Sequence, residues 1–248
     1  MKREFAAQYG NLEQWHWWFR GRQRILDQVL RRELNGVLSP WVASVGCGPA
    51  EGLAWLSSLV EPAGQVVGLD FDPSHARSLG PRIKYVVGKL EEVPLASRAF
   101  DAVLALDVLE HLDDDAAGLE EAARLVKPSG LLLVTVPAFP SLWGGQDEVS
   151  HHRRRYTKRT LCQAFARARL PSPEVTYFNA LLLPPIAMIR WMHRVQGRAH
   201  QSKSDFDGSR PGLANDFLAG VFGAERHLVG RVPIPAGVSL LATARPCS

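Results

Sequence analysis

The chain has 248 residues, 46% hydrophobic and 22% charged, with a formal net charge of +4. That balance is ordinary for a globular protein that buries a core, as one large domain or a domain with an appendage. Cys47, Cys162 and Cys247 are odd in number, far apart and without metal-site spacing, so they read as reduced thiols in a cytoplasmic protein. No signal peptide is expected after Met1-Lys2-Arg3-Glu4-Phe5, and the apolar run near Leu181 to Met192 is shorter than the about 20 residues of a bilayer span.

Residues 1–14 are weakly patterned. The aromatic cluster Trp15-His16-Trp17-Trp18-Phe19-Arg20 follows and leads into a helix to about Leu34, with Ile25, Leu26, Val29, Leu30 and Leu34 at helical spacing. Asn35-Gly36 is its stop signal. The cluster reads either as a core plug or as a lid over a ligand, with Arg20 or Arg24 holding a carboxylate. From Trp41 to Phe178, strands are expected at 41–45, 66–69, 83–87, 101–106, 131–136 and 174–178. Helices are expected at 50–60, 73–80, 115–126 and 157–170, the last capped by Thr157. Strands alternating with helices define an α/β class, a doubly wound, mostly parallel sheet.

Beyond Phe178 the alternation fails. Leu181 to Val195 reads as a helix, Gly197 to Gly212 as a polar flexible loop, and Leu213 to Leu228 as a further helix. Gly237 to Ala244 is the last strand, so two helices and a loop interrupt the sixth and seventh strands. The segment from His151 to Arg169 holds seven Lys and Arg and no acid, and Arg20, Arg22, Arg24, Arg31 and Arg32 add to the basic character. It reads as a solvated face or as a surface for phosphates, an anionic substrate or an anionic membrane.

The candidate site begins at Val42-Ala43-Ser44-Val45-Gly46-Cys47-Gly48-Pro49-Ala50-Glu51-Gly52, a strand that breaks into a glycine turn. Gly46 and Gly48 fit a nucleotide-binding turn, but Glu51 stands where a dinucleotide fingerprint needs a small residue. Gly-x-Gly followed by Pro49-Ala50 suits the turn of S-adenosylmethionine (SAM) enzymes. Asp70, ending Val66-Val67-Gly68-Leu69-Asp70, can accept hydrogen bonds from both ribose hydroxyls.

With these residues in place, the chain resembles the class I SAM-dependent methyltransferases. Val45-Gly46-Cys47-Gly48 and Gly68-Leu69-Asp70 are similar to the family's first two motifs. Phe100-Asp101-Ala102-Val103, Asp107-Val108-Leu109-Glu110-His111-Leu112 and Lys127-Pro128-Ser129-Gly130-Leu131-Leu132 are similar to its fourth- and fifth-strand motifs. His16 to Arg22, His152 to Thr157 and Tyr177-Phe178-Asn179 resemble a bacterial subgroup that is similar to ubiquinone-type O-methyltransferases and often accompanies glycan or lipid biosynthesis. The resemblance implies a Rossmann-like seven-stranded sheet with an antiparallel last strand. It implies SAM as cofactor, with S-adenosylhomocysteine (SAH) as product, and contacts from Trp18, Arg20, Gly46, Cys47, Gly48, Asp70, Phe71, Lys89, Leu90, Leu106 and Asp107.

Three departures bear on those contacts. Ser44 stands where the family has an acid, and Ala50 where it has Gly. Lys89 stands where the family has an Asp for the adenine amino group, and an ammonium cannot accept that bond. Glu91 or Glu92 could replace it, or the Leu90 amide and Phe71 packing could hold the ring. For the acceptor side, His152 and His111 are the expected catalytic residues, since histidine titrates near neutral pH, and Asp147 is a candidate to orient one of them. No metal is expected, because Asp113-Asp114-Asp115 point different ways and precede a helix, where acids favour the dipole.

The expected organisation is a helical lid (1–36), a SAM-binding core (37–178), an inserted acceptor segment (179–235) and a final core strand (236–248). The expected reaction is methyl transfer to a hydroxyl or amine of a small-molecule or lipid- or glycan-linked acceptor. An RNA or protein methyltransferase, and a SAM-binding protein without transfer, such as a cyclase, are the alternatives; a nucleic-acid partner is not favoured, for want of a binding module. The run Leu181 to Ile189 could be a pocket wall, a homodimer face or a patch resting on a membrane.

Overall fold

The computed structural model describes residues 10–77, 80–196, 205–206 and 209–246. The opening Met1-Phe5, Cys247 and most of the Gly197–Gly212 loop lie outside the described residues. Seven apolar runs form strands: β1 Trp41–Val45, β2 Gln65–Asp70, β3 Ile83–Val87, β4 Phe100–Leu106, β5 Val126–Pro137, β6 Glu174–Phe178 and β7 Ser239–Ala244. They make one sheet in the order β3-β2-β1-β4-β5-β7-β6. The pairs from β3 to β5 are parallel, and β7 lies antiparallel between β5 and β6. This is the expected mixed, Rossmann-like sheet.

Alternation along the strands divides the core in two, because successive side chains face opposite ways. Val103 and Ala105 of β4, with Leu132, Val134 and Val136 of β5, pack on one face. There they meet α2 (Asp115–Arg124) through Leu119 and Ala122, and α4 (Lys158–Arg167) through Leu161 and Phe165. Ala102 and Leu104, with Leu131 and Leu133, face the other way. That side is covered by Ile25, Leu26, Val29 and Leu30 of α1 (Trp17–Glu33) and by Phe222 of α6 (Leu213–Ala224). Both layers bury the central strands completely, as a parallel sheet requires.

Two expected helices are shorter than their sequence patterns suggest. The 50–60 helix is a 3₁₀ turn over Ala50–Leu56, and 73–80 is a 3₁₀ turn over Pro73–His75. Gly52 weakens the first from within, and the second has no buried apolar residue to hold it against the sheet. Thr157 caps α4, accepting from the Thr160 amide at 3.2 Å. His16 separates a helical segment over residues 10–15 from α1 and caps α1 through the Trp18 amide, at 3.2 Å. A short α3 (Gly145–Val149) follows β5, and α5 (Leu183–Val195) and α6 fill the connection before β7.

Part of the basic run is paired with acids, while Lys158, Arg159 and Arg169 are exposed. Arg153 pairs with Asp113, Arg154 and Arg167 with Asp115, and Arg155 with Asp147. Asp114 caps α2 through the Ala116 and Ala117 amides. The three consecutive aspartates are therefore partners of arginines and a helix end, and residues 153–155 do not form an open cationic face.

Candidate active site

The C-terminal ends of β1, β2, β3 and β4 open into a cavity of about 1120 Å³. Such an edge is where doubly wound sheets bind ligands, because the chain leaves adjacent strands in opposite directions there. Gly46 and Gly48 have φ of +63° and +64°, a region that costs other residues steric strain. A Cβ on Gly46 would also stand 2.7 Å from Val108. The Cys47 amide donates to the Leu69 carbonyl at 3.0 Å, and the Gly48 amide to Asp70 Oδ2 at 2.9 Å. These bonds hold the glycine turn against the end of β2. Asp70 Oδ1 also accepts from the Asp72 amide at 3.0 Å and faces His75 Nδ1 at 3.3 Å. A carboxylate has about four acceptor sites, so capacity remains for diol hydroxyls.

Burial pushes the Cys47 thiol well up, with the charges of Asp70 and Glu13 adding to the effect, so it is neutral cradle wall and not a nucleophile. Lys89 and Leu90 also line the cavity, and Phe71, 69% exposed, stands at its lip. Glu91 lines it as well, whereas the Glu92 amide turns back to the Lys89 carbonyl. Leu106 and Asp107 end β4 on the cavity floor, Asp107 with φ +56°. Trp18 borders the same space.

Arg20 does not. It pairs with Asp216 of α6, and Arg24 donates to the Ala219 carbonyl at 3.2 Å. Two residues along a helix turn a side chain by about 200°, so the cavity-facing arginine is Arg22. It pairs with Asp107 and lies over the Trp18 ring at 4.4 Å. Glu13, from the segment over residues 10–15, lines the cavity beside it.

On the acceptor side, the segment after α3 returns under the turn that follows β4. The Arg153 amide donates to the Glu110 carbonyl at 2.8 Å, and Arg153 Nε to the His111 carbonyl at 2.9 Å. Tyr156 donates to Asp115 at 2.9 Å. These bonds bring His111 and His152 together, edge to face with centroids 4.7 Å apart. Asp147 Oδ1 lies 2.8 Å from His152 Nδ1. Burial raises the Asp147 carboxyl, but its bonds to His152, the Arg155 charge and the Gly144 amide outweigh that, and it stays below the usual range. Asp147 is therefore an ionised acceptor to which His152 Nδ1 donates.

Glu110 Oε1 is 4.0 Å from His152 Nε2. Glu110 is fully buried, both its oxygens lack hydrogen-bond partners among the described residues, and burial and then Asp107 raise its carboxyl far above the ordinary range. It is held protonated. His111 faces the cavity's solvent yet is ringed by protein; desolvation and the neighbouring His152 bring its pKa down to about 3, so it is neutral. Atoms of Glu110, His111 and His152 lie within 4.8 Å of one another, close enough to surround a cation. Asn179, also fully buried, turns an unpartnered side-chain amide to the same cavity. Glu13, Arg22, Glu110 and Asn179 carried no role in the sequence reading. Arg22, Glu110 and Asn179 stood in quoted motifs and Glu13 in none, and the unpartnered atoms of all four arise from tertiary packing.

Comparison with known proteins agrees with this geometry. Residues 43–134 match the model of a family described as a methyltransferase domain. A probable S-adenosylmethionine-dependent methyltransferase of Mycobacterium tuberculosis is 32% identical over 135 residues, 53% of this chain and 47% of that protein. A ubiquinone biosynthesis O-methyltransferase of Azorhizobium caulinodans is 35% identical over 140 residues, 52% of this chain and 54% of its own. The chain spans about half the length of these curated relatives. A chain from the complex between the Haloferax volcanii Trm112 methyltransferase activator and a methyltransferase shares the fold, with a TM-score of 0.60 and 18% identity. That match covers 99% of this chain and 95% of the other. The glycine turn, the acid ending β2 and the sheet order agree with the methyltransferase domain that residues 43–134 match.

Proposed function

We propose that this chain transfers a methyl group from SAM to a hydroxyl or amine of a small-molecule or lipid- or glycan-linked acceptor. The observation that carries the reading is one cavity joining the glycine turn and Asp70 to the Asp147–His152 pair. Its volume exceeds the about 300–1,000 Å³ typical of one drug-sized ligand, leaving space for an acceptor beside the cofactor. The residues fit SAM: Gly46 and Gly48 let the backbone approach it, Asp70 takes the ribose hydroxyls, Leu90 and Phe71 flank the adenine, and Glu91 replaces the acceptor that Lys89 cannot be.

Bound SAM supplies an activated methyl on a sulfonium, and SAH is the product. The protein's part is alignment, water exclusion and proton removal. Trp18 and the N-terminal half of α1 cover the cofactor side. Ile186 and Ile189 of α5 wall the acceptor side. His152 Nε2 takes the acceptor's proton, and Asp147 holds the ring and stabilises the cation that results. Neutral Glu110 and Asn179 offer polar atoms to the acceptor. Leaving such buried groups unpaired costs about 1–3 kcal/mol each, which a polar acceptor offsets.

The test is purified protein with SAM and a panel of phenolic, aliphatic-hydroxyl and amine acceptors, read as SAH and methylated product. Transfer is expected to survive dialysis against EDTA. Abolition by chelation would replace the His152 base with a cation, and SAH binding without product from any acceptor would favour the non-transferring alternative.

A further inference from the structure

We propose that Glu13, with Arg22, is the clamp for the α-amino-acid end of the cofactor, Glu13 receiving the ammonium and Arg22 the carboxylate. The inference rests on the SAM reading of the cavity and adds to it a ligand pair from outside the matched domain.

The geometry starts from the glycine turn. Asp70 fixes the ribose end of the cavity, so a zwitterionic tail needs one anion and one cation at the other end of the turn. β1 provides no anion there, since Ser44 is uncharged and buried. The segment over residues 10–15 lies across the turn instead. A Cβ on Gly10 would touch Pro49 at 3.5 Å and Glu51 at 3.6 Å, and a Cβ on Gly52 would collide with the Glu13 carboxylate. Gly52 is thus the residue that gives Glu13 its place.

Glu13 is 8% exposed, lines the cavity, and its Oε2 has no partner among the described residues. Arg22 Nε is likewise buried and unpartnered, while Nη1 pairs with Asp107. An unpaired acceptor and an unpaired donor, both on residues that line one cavity, are costly in a protein without a ligand. An amino acid's ammonium and carboxylate satisfy both with charge-assisted bonds.

Charge responds in the same sense. Desolvation raises the Glu13 carboxyl to about 8, against the lowering effect of Arg22 and with a smaller raising contribution from Glu51. The buried Cys47 beside it is neutral. An arriving ammonium favours the ionised carboxylate. Near neutral pH, binding therefore expels the Glu13 proton to solvent, while the ammonium keeps its own three.

The test is calorimetry with SAH and with 5′-methylthioadenosine, which lacks the amino-acid end. Wild type is expected to bind SAH and to release about one proton at pH 6.5, seen as a heat that varies with buffer ionisation enthalpy. Glu13→Gln should bind SAH about 10- to 100-fold more weakly, with proton release gone and methylthioadenosine affinity unchanged. Equal SAH affinity in Glu13→Gln, or an equal loss for both ligands, overturns the clamp. Should Glu13→Gln not fold, absence of proton release in wild type overturns it alone. Wild type that binds neither ligand refutes the SAM reading itself.

Discussion

His152 is a useful residue because Asp147 leaves it a single tautomer. His152→Ala is expected to lower kcat by about 10²- to 10⁴-fold while leaving SAH affinity within a factor of two or so, as measured by calorimetry. Asp147→Asn should lower kcat as well, since an amide can donate to Nδ1 and turn the lone pair away from the acceptor. Glu13 makes a prediction on stability. Between pH 4.5 and about 8 the native protein holds a proton that the unfolded chain has lost. The contribution of Glu13 to stability without cofactor therefore falls as pH rises through that window and is constant below it. Glu13→Gln should abolish the fall, an outcome that chemical denaturation from pH 5 to 8.5 would check.

At the scale of elements, α1 does two jobs. Its later turns seal one face of the sheet, and its first turns border the cofactor. The junction depends on Gly21, where a Cβ would collide with the Phe222 ring of α6. Gly21→Ala is expected to destabilise the protein by about 1–3 kcal/mol through overpacking, despite alanine's better helix propensity. A thermal melt would show it, and an unchanged Tm would mean that α6 yields freely. His16 governs the start of α1. It is 1% exposed, and burial brings its pKa down to about 4. The unfolded chain takes a proton near 6.5 that the native protein refuses, so stability drops as pH falls from about 6.5 to about 4. His16→Asn keeps a capping side chain and should reduce that acid limb of the stability profile, leaving the share that His111 contributes.

At the scale of the whole molecule, α5 is the α-helix with no buried residue among those described. Met188 is 58% exposed and Trp191 63%, and the helix carries no acid but has Arg190, His193 and Arg194. Ile186, Ile189 and Arg190 meanwhile line the cavity. An amphipathic, cationic, Trp-bearing helix between solvent and the acceptor compartment fits delivery of a lipid-linked acceptor from an anionic surface. No helix among the described residues is long and apolar enough to cross a membrane. Flotation with vesicles containing anionic lipid should carry the protein upward, and Trp191→Ser with Met188→Ser should weaken this severalfold. A protein that stays at the bottom at low salt leaves α5 as a pocket wall alone.

Strand positions and the glycine turn were determined by sequence alone, for a local reason. Short apolar-rich runs between turn signals read as strands, so β1, β3 and β6 have the expected bounds, and Gly46 and Gly48 have the positive φ the motif needs. The helices beside them were less legible. Ala50–Leu56 is a 3₁₀ turn that Gly52 weakens from within, and Pro73–His75 is one with no buried residue to hold a longer helix. What faces the cavity was decided by tertiary structure. Arg20 and Arg22 are chemically identical, and Asp216, 196 residues away, draws the first outward while Asp107 draws the second in. Within the basic run, Arg153, Arg154 and Arg155 gain partners only when Asp113, Asp115 and Asp147 fold against them, while Lys158, Arg159 and Arg169 remain a solvated face. Glu13 and Glu110 gain their perturbed charge from partners withheld by burial. A partner's absence is a property of packing in three dimensions, and no spacing along the chain encodes it.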